Sequence, residues 1–173
     1  LQAAFKERCF MSRWSQIVDS VRAWCAKLLA VARRPSKVSR QTAEYDHARR
    51  DFHQQRERLE ARFFQIASNS GKPRGLRWVE CEFENDVTYA RNRATAELCA
   101  FVGVTIAFEA IEGGLMEGVE AVGNLRAATA VFRLEGGRWH TDGRAIFNLS
   151  PTEAIAYYQD NLVMVGHEPA ARS

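Results

Sequence analysis

Three groupings of side chains have types and spacings from which chemistry could be built. Glu44-x-x-His47, with Asp51 one turn further on, has the carboxylate and imidazole spacing of half a two-metal site on a helix. A complete site needs a second such motif and further helix carboxylates, which the chain lacks, so a solvated helix face and no metal are expected. His140 and Asp142 share parity on a strand, as do Arg138 and Arg144, which would suit an acid/base pair at a pocket mouth. Two turn signals beside them, Gly136-Gly137 and Asp142-Gly143, offer the competing reading of an exposed hairpin end. Glu80, Glu82 and Glu84 alternate as the wet face of a sheet would, or as a landing site for a basic helix.

Other chemistries are excluded by what accompanies their motifs. The glycines between Gly113 and Gly123 lack the Lys-Ser/Thr ending of a phosphate loop and read as a connector. Cys9, Cys25, Cys81 and Cys99 lie far apart with no C-x-x-C pair, so reduced, packed thiols are expected instead of a zinc or redox motif. No Ser-His-Asp or Cys-His set assembles. No catalytic residue is assigned, and no cofactor is expected.

The elements that would position these residues divide with the charge. Residues 1–75 carry sixteen Lys/Arg against seven Asp/Glu, and residues 76–173 carry eight against fourteen. In the basic part, Trp14, Ile17, Val18, Val21, Trp24, Cys25, Leu28 and Leu29 recur at the spacing of one helical face. Pro35 stops that helix, and Ser36 or Ser39 can cap the next. Residues 1–37 are therefore a basic amphipathic extension, and residues 38–173 an α+β domain. A second helix spans 40–68, with Tyr45, Ala48, Phe52, Leu59, Phe63 and Ile66 on one stripe; Gln55 and Arg62 interrupt it, which argues against a long coiled coil.

In the acidic part the period changes from near 3.6 to 2. Val79, Cys81 and Phe83 are expected on a core face from 77 to 84, with a turn at Asn85-Asp86 and a return strand from Val87 to Arg91. Ala96–Ile111 reads as one long apolar strand with a bend or bulge at Gly103. A strand over 124–135, a hairpin at Gly136-Gly137 and a returning stretch to Leu149 complete a sheet of four to six strands over 76–149. Asp142-Gly143 marks a bulge in that stretch or divides it. Ser150-Pro151-Thr152-Glu153 is a capping box that opens a helix over 151–162, burying Ile155, Tyr158 and Leu162.

Helices followed by a meander of long antiparallel strands, ending on Phe132-Arg133-Leu134-Glu135-Gly136-Gly137-Arg138-Trp139, resemble the cystatin-like and nuclear-transport-factor-2-like (SnoaL-like) fold group over residues 40–149. The resemblance implies a curved sheet wrapping a helix around a conical pocket, used by some members for small apolar ligands and by a few for catalysis.

The expected fold is α+β: N-terminal helices, a curved antiparallel sheet and a short C-terminal helix. The expected function is a non-enzymatic binding or adaptor module whose basic helix meets an anionic membrane surface or an acidic protein partner through Trp14, Arg22, Trp24, Lys27, Arg33 and Arg34. The alternative is a pocket protein or small enzyme of the resembled group. Self-association is a further expectation, one copy's basic helices lying on another's glutamate row. Nucleic acid is disfavoured, because acids dilute the basic face and no recognition motif accompanies it. The expected location is the cytoplasm, with association to a membrane through the helix. No run reaches the length of a spanning helix. The chain begins at Leu1, and Met11 is read as a candidate true start.

Overall fold

The computed structural model describes residues 37–70 and 75–170. The described residues fall into two units that divide after Asp46, and each is taken by itself. Helix α1 (Lys37–Ser70) starts before the expected position, with Ser39 inside it; Ser36 lies outside the described residues. Of the expected stripe, Ala48, Phe52, Leu59 and Phe63 are buried and Ile66 is half-buried; Ala67 is buried beside it, so the buried positions are spaced by four and seven, one face of a 3.6-residue period.

The second unit, from His47 on, joins the rest of α1 to an antiparallel sheet with strand order β4-β3-β2-β1-β6, with β5 also paired to β3. Its strands are β1 (Leu76–Asn92), β2 (Leu98–Ala110), β3 (Arg126–Glu135), β4 (Arg138–His140), β5 (Ala145–Phe147) and β6 (Leu162–Glu168). A short helix α2 (Pro151–Tyr157) precedes β6. Strand β2 runs in the middle and is buried at every position from Leu98 to Val104. That unbroken apolar run has no wet face because the sheet is covered on both sides.

One cover is α1. Phe52 meets Tyr89, Phe132 and Trp139 edge-on at ring-centroid distances of 6.1, 5.4 and 5.0 Å. Phe63 packs against Trp78, Phe83 and Phe132. The Trp139 indole N–H donates to the Ala48 carbonyl at 2.8 Å, so the most buried ring nitrogen keeps a partner. The space between helix and sheet is thereby filled with rings.

The turn expected at Asn85-Asp86 is a bulge within one long strand. Phe83 pairs with Val104 and Val87 with Val102, so Glu84, Asn85 and Asp86 stand against Gly103 alone. The displaced carbonyls lose their ladder partners, and Arg56 of α1 replaces them. Its guanidinium donates to the Glu84 carbonyl, to the Asn85 carbonyl at 3.0 Å and to the Glu60 carboxylate at 2.6 Å. The Glu84 carboxylate lies over Gly103, and a side chain there would have to push that mobile end aside. A second irregularity at Val79 corrects the expected face: Val79 is exposed while Trp78 is buried.

The hairpin at Gly136-Gly137 is as read, with both glycines at positive φ. Asp142-Gly143 divides the returning stretch into β4 and β5. The gap is bridged by Thr141 Oγ1 donating to the Val131 carbonyl (3.0 Å) and Val131 N–H donating to the Arg144 carbonyl (3.2 Å). Gly143 has φ +74° and lies against Ile66 and Ala67, where a Cβ would clash.

The capping box is formed: Ser150 Oγ accepts from Glu153 N–H and the Glu153 carboxylate from Ser150 N–H. The helix ends at Tyr157, five residues short of the expected end. After a turn at Tyr158–Asn161 the chain enters β6, which pairs with β1. Leu162, read as the last helical contact, is the first residue of that strand. Val163, Met164 and Val165 follow it, and β-branched residues at two of the three positions favour the extended chain.

Candidate functional site

Alternation along the paired strands sends Tyr89, Ala100 and Phe132 toward α1, and Ala90, Cys99, Phe101, Val131 and Arg133 to the opposite face. On that opposite face α2 lays Ala154 and Ile155 against Ala90, Phe101 and Val131, with Ile146, Leu149 and Leu162 closing the edge. Seven residues of helix cannot cover what α1 covers from Ala48 to Ala67 on the other side. The uncovered part is a cavity of about 360 Å³.

Its floor is apolar: Cys99, Phe101 and Val131 are buried, and Ile146 and Leu162 are half-buried. Its rim is polar, carrying Arg133, Arg144, Tyr158, Asn161, Asn92 and Glu97. Each rim group is set by a local bond. Arg133 pairs with Asp142 at 3.2 Å. The Arg144 guanidinium lies 5.5 Å from the centre of the Tyr158 ring and donates to its hydroxyl at 3.4 Å, a cation held on an aromatic face. Asn92 turns its carboxamide oxygen to Ala94 and Thr95 N–H groups, which fixes the β1–β2 loop on one side. Arg93 ties that loop to the turn after α2 through the Gln159 and Asn161 carbonyls. Burial pushes the Cys99 thiol above its ordinary range, partly countered by the nearby Arg133 charge. The floor is thus a neutral thiol among hydrocarbon, with cations above it.

His140 and Asp142 do not pair with each other. His140 Nε2 lies 3.2 Å from the Glu135 carboxylate, across the Gly136-Gly137 hairpin. Asp142 belongs to the cavity's supporting structure: one carboxylate oxygen meets Arg133, and the other accepts from Arg144 N–H at 3.1 Å. Trp14, Arg22, Trp24, Lys27, Arg33 and Arg34 lie outside the described residues. Arg133, Tyr158 and Cys99 carried no short-range signal of a site; they converge through strand parity and the turn after α2.

Two other clusters bring titratable side chains together. A shallow groove beside α1, about 430 Å³, is lined by Glu57, Glu60, Glu80, Cys81, Phe64 and Phe83 among others. The Cys81 thiol there is pushed up to about 12 by burial first and by Glu60 second, so it is no nucleophile at neutral pH. At the other end of α1, the Glu168 carboxylate accepts from the buried Tyr89 hydroxyl (3.0 Å), meets His53 Nε2 (2.8 Å) and pairs with Arg49 (3.0 Å). This cluster fastens β6 to α1. Among the described residues no three His, Cys, Asp or Glu side chains gather as a metal site requires. Nor, among them, is any helix long and apolar enough to cross a membrane.

No protein-family description, no curated protein and no solved structure matches the chain.

Proposed function

We propose that this protein is a non-enzymatic binding module that takes a small molecule with an apolar body into the cavity between the sheet and α2. The observation that supports this reading is the asymmetry of the two covers. The α1 face is packed with rings, whereas the α2 face keeps a part-open hollow with an apolar floor and a polar rim, apolar surface beside convergent polar groups as a ligand pocket requires. Catalysis is not part of the reading, because the thiol on the floor is held protonated and His140 turns to Glu135. The test is calorimetric titration of the full chain with 1-octanol, a probe with a compact apolar body. The wild-type chain is expected to bind, and Ile146→Trp, which fills the cavity, is expected to lose binding while keeping its melting temperature. Equal binding by both would overturn the proposal.

A second reading concerns residues 11–34 and rests on the charge split: between Met11 and Arg40 there are seven cations and one acid, with two tryptophans on the apolar stripe. Such a segment suits an anionic lipid surface. Flotation of the full chain with anionic liposomes is expected to weaken with salt and to fail for Trp14→Ala/Trp24→Ala. Salt-independent flotation that survives both changes would reject it.

A further inference from the structure

The chemical class of the ligand can be drawn from the rim, and the argument rests on the reading of the cavity as a ligand site. Two guanidinium groups enter the rim from different elements, Arg133 from β3 and Arg144 from the link between β4 and β5. A guanidinium has five donors in a rigid fork. Arg133 directs one of them to Asp142, in a pair with both side chains well exposed, at 34% and 50%, where an ion pair contributes little. Arg144 directs one to the Tyr158 hydroxyl at a long 3.4 Å. Both therefore retain donors for an incoming acceptor. The Tyr158 ring beneath Arg144 holds that fork in place without consuming its hydrogen-bonding capacity.

One acid stands on the rim beside the two cations. Glu97 lies at the β1–β2 loop and accepts from the Thr95 hydroxyl at 2.9 Å. The Cys99 thiol on the floor feels the Arg133 charge, which favours its ionised form, against burial and the Glu97 and Glu135 charges, which oppose it. Beneath the cations the walls are Phe101, Val131, Ile146 and Leu162, with no charged group among them.

We infer that the cavity selects a small apolar acid, its anionic head clamped between Arg133 and Arg144 and its hydrocarbon on Phe101 and Val131. A carboxylate and a phosphate monoester share the required chemistry, since either accepts from guanidinium forks. A hydroxyl head on the same body offers the forks only an uncharged acceptor, and an ammonium head offers none.

The test is titration of the full chain with four probes that share one tail: octanoate, octyl phosphate, 1-octanol and octylamine. Cys99 alkylation is followed in parallel by peptide mapping, which separates it from Cys9, Cys25 and Cys81. Octanoate or octyl phosphate is expected to bind about tenfold more tightly than 1-octanol, the scale of one charge-assisted contact, and to slow alkylation of Cys99. Octylamine is expected to be weakest, and the relative affinities of the two anions identify the head group. Arg133→Gln/Arg144→Gln should remove the preference for acids while 1-octanol binding remains, which separates a lost clamp from a lost fold. Equal affinity for octanoate and 1-octanol would overturn the acid selectivity and leave the cavity reading standing. Failure of all four probes to bind or to protect Cys99 would overturn both.

Discussion

The two faces of the sheet are built from the same strands and covered in opposite ways. Toward α1, side chains from Phe52, Phe63, Tyr89, Phe132 and Trp139 interlock, and the indole N–H is satisfied by a helix carbonyl. Toward α2, only Ala154 and Ile155 of a two-turn helix meet the sheet, and arginines stand beside them at the rim of the cavity. The lesson is that one cover supplies stability and leaves the other free to remain incomplete. A cavity on the face that holds the molecule together would cost stability in proportion to its volume. On the thinly covered face that cost falls on a region contributing less to the fold.

The largest expected effect that tests this contrast is Phe52→Ala, which removes a fully buried ring with three aromatic neighbours. It should lower unfolding free energy in urea by about 3–5 kcal/mol. Its counterpart across the sheet, Ile146→Ala, removes a half-buried side chain and should lower it by no more than about 2 kcal/mol. Equal losses would erase the distinction between the faces.

Arg56→Met comes next. It keeps most of the side-chain volume but leaves the Glu84 and Asn85 carbonyls of the bulge without their donor. A loss of about 1–3 kcal/mol is expected, with faster amide exchange concentrated around the bulge. Unchanged exchange there would show that water serves the carbonyls equally well.

The smallest effect belongs to α2. The Glu153 carboxyl is held below its ordinary range by the Ser150 N–H and hydroxyl, which favour the ionised form. A carboxylate with a lowered native pKa contributes its stabilisation above the unfolded-state value and loses it as pH falls through the native one. Amide exchange in Pro151–Tyr157 should therefore accelerate in acid below the usual carboxylate range, with little change at α1. Glu153→Gln should remove that pH response.

Much of the fold was legible because its signals are local. The stripe through Ala48, Phe52, Leu59 and Phe63, the Gly136-Gly137 hairpin and the Ser150–Glu153 capping box each lie within one element, and each forms as its chemistry dictates. The α+β class with an antiparallel sheet followed from them. What escaped was non-local. Asn85-Asp86 has the composition of a turn, but pairing on both sides with β2 and support from Arg56 keep the strand continuous. Leu162 is expected to close the last helix and instead opens β6, because its partner, β1, lies some seventy residues earlier. The cavity draws on residues from Asn92 to Leu162, so no short motif announces it. One signal was present: the run Leu98-Cys99-Ala100-Phe101-Val102 lacks a polar alternate, which requires a cover on each face of the sheet. Asp142, an acid/base candidate by its position on the strand, contacts the Arg133 guanidinium and the Arg144 backbone N–H beside the rim.

The most direct test of the contrast between the faces is a ¹⁵N–¹H correlation titration of the full chain with octanoate. The account predicts shifts at Cys99, Phe101, Val131, Arg133, Ile146 and Leu162, with Phe52, Phe63 and Trp139 unmoved. Shifts centred on the α1 face, or a uniform absence of shifts, would contradict it.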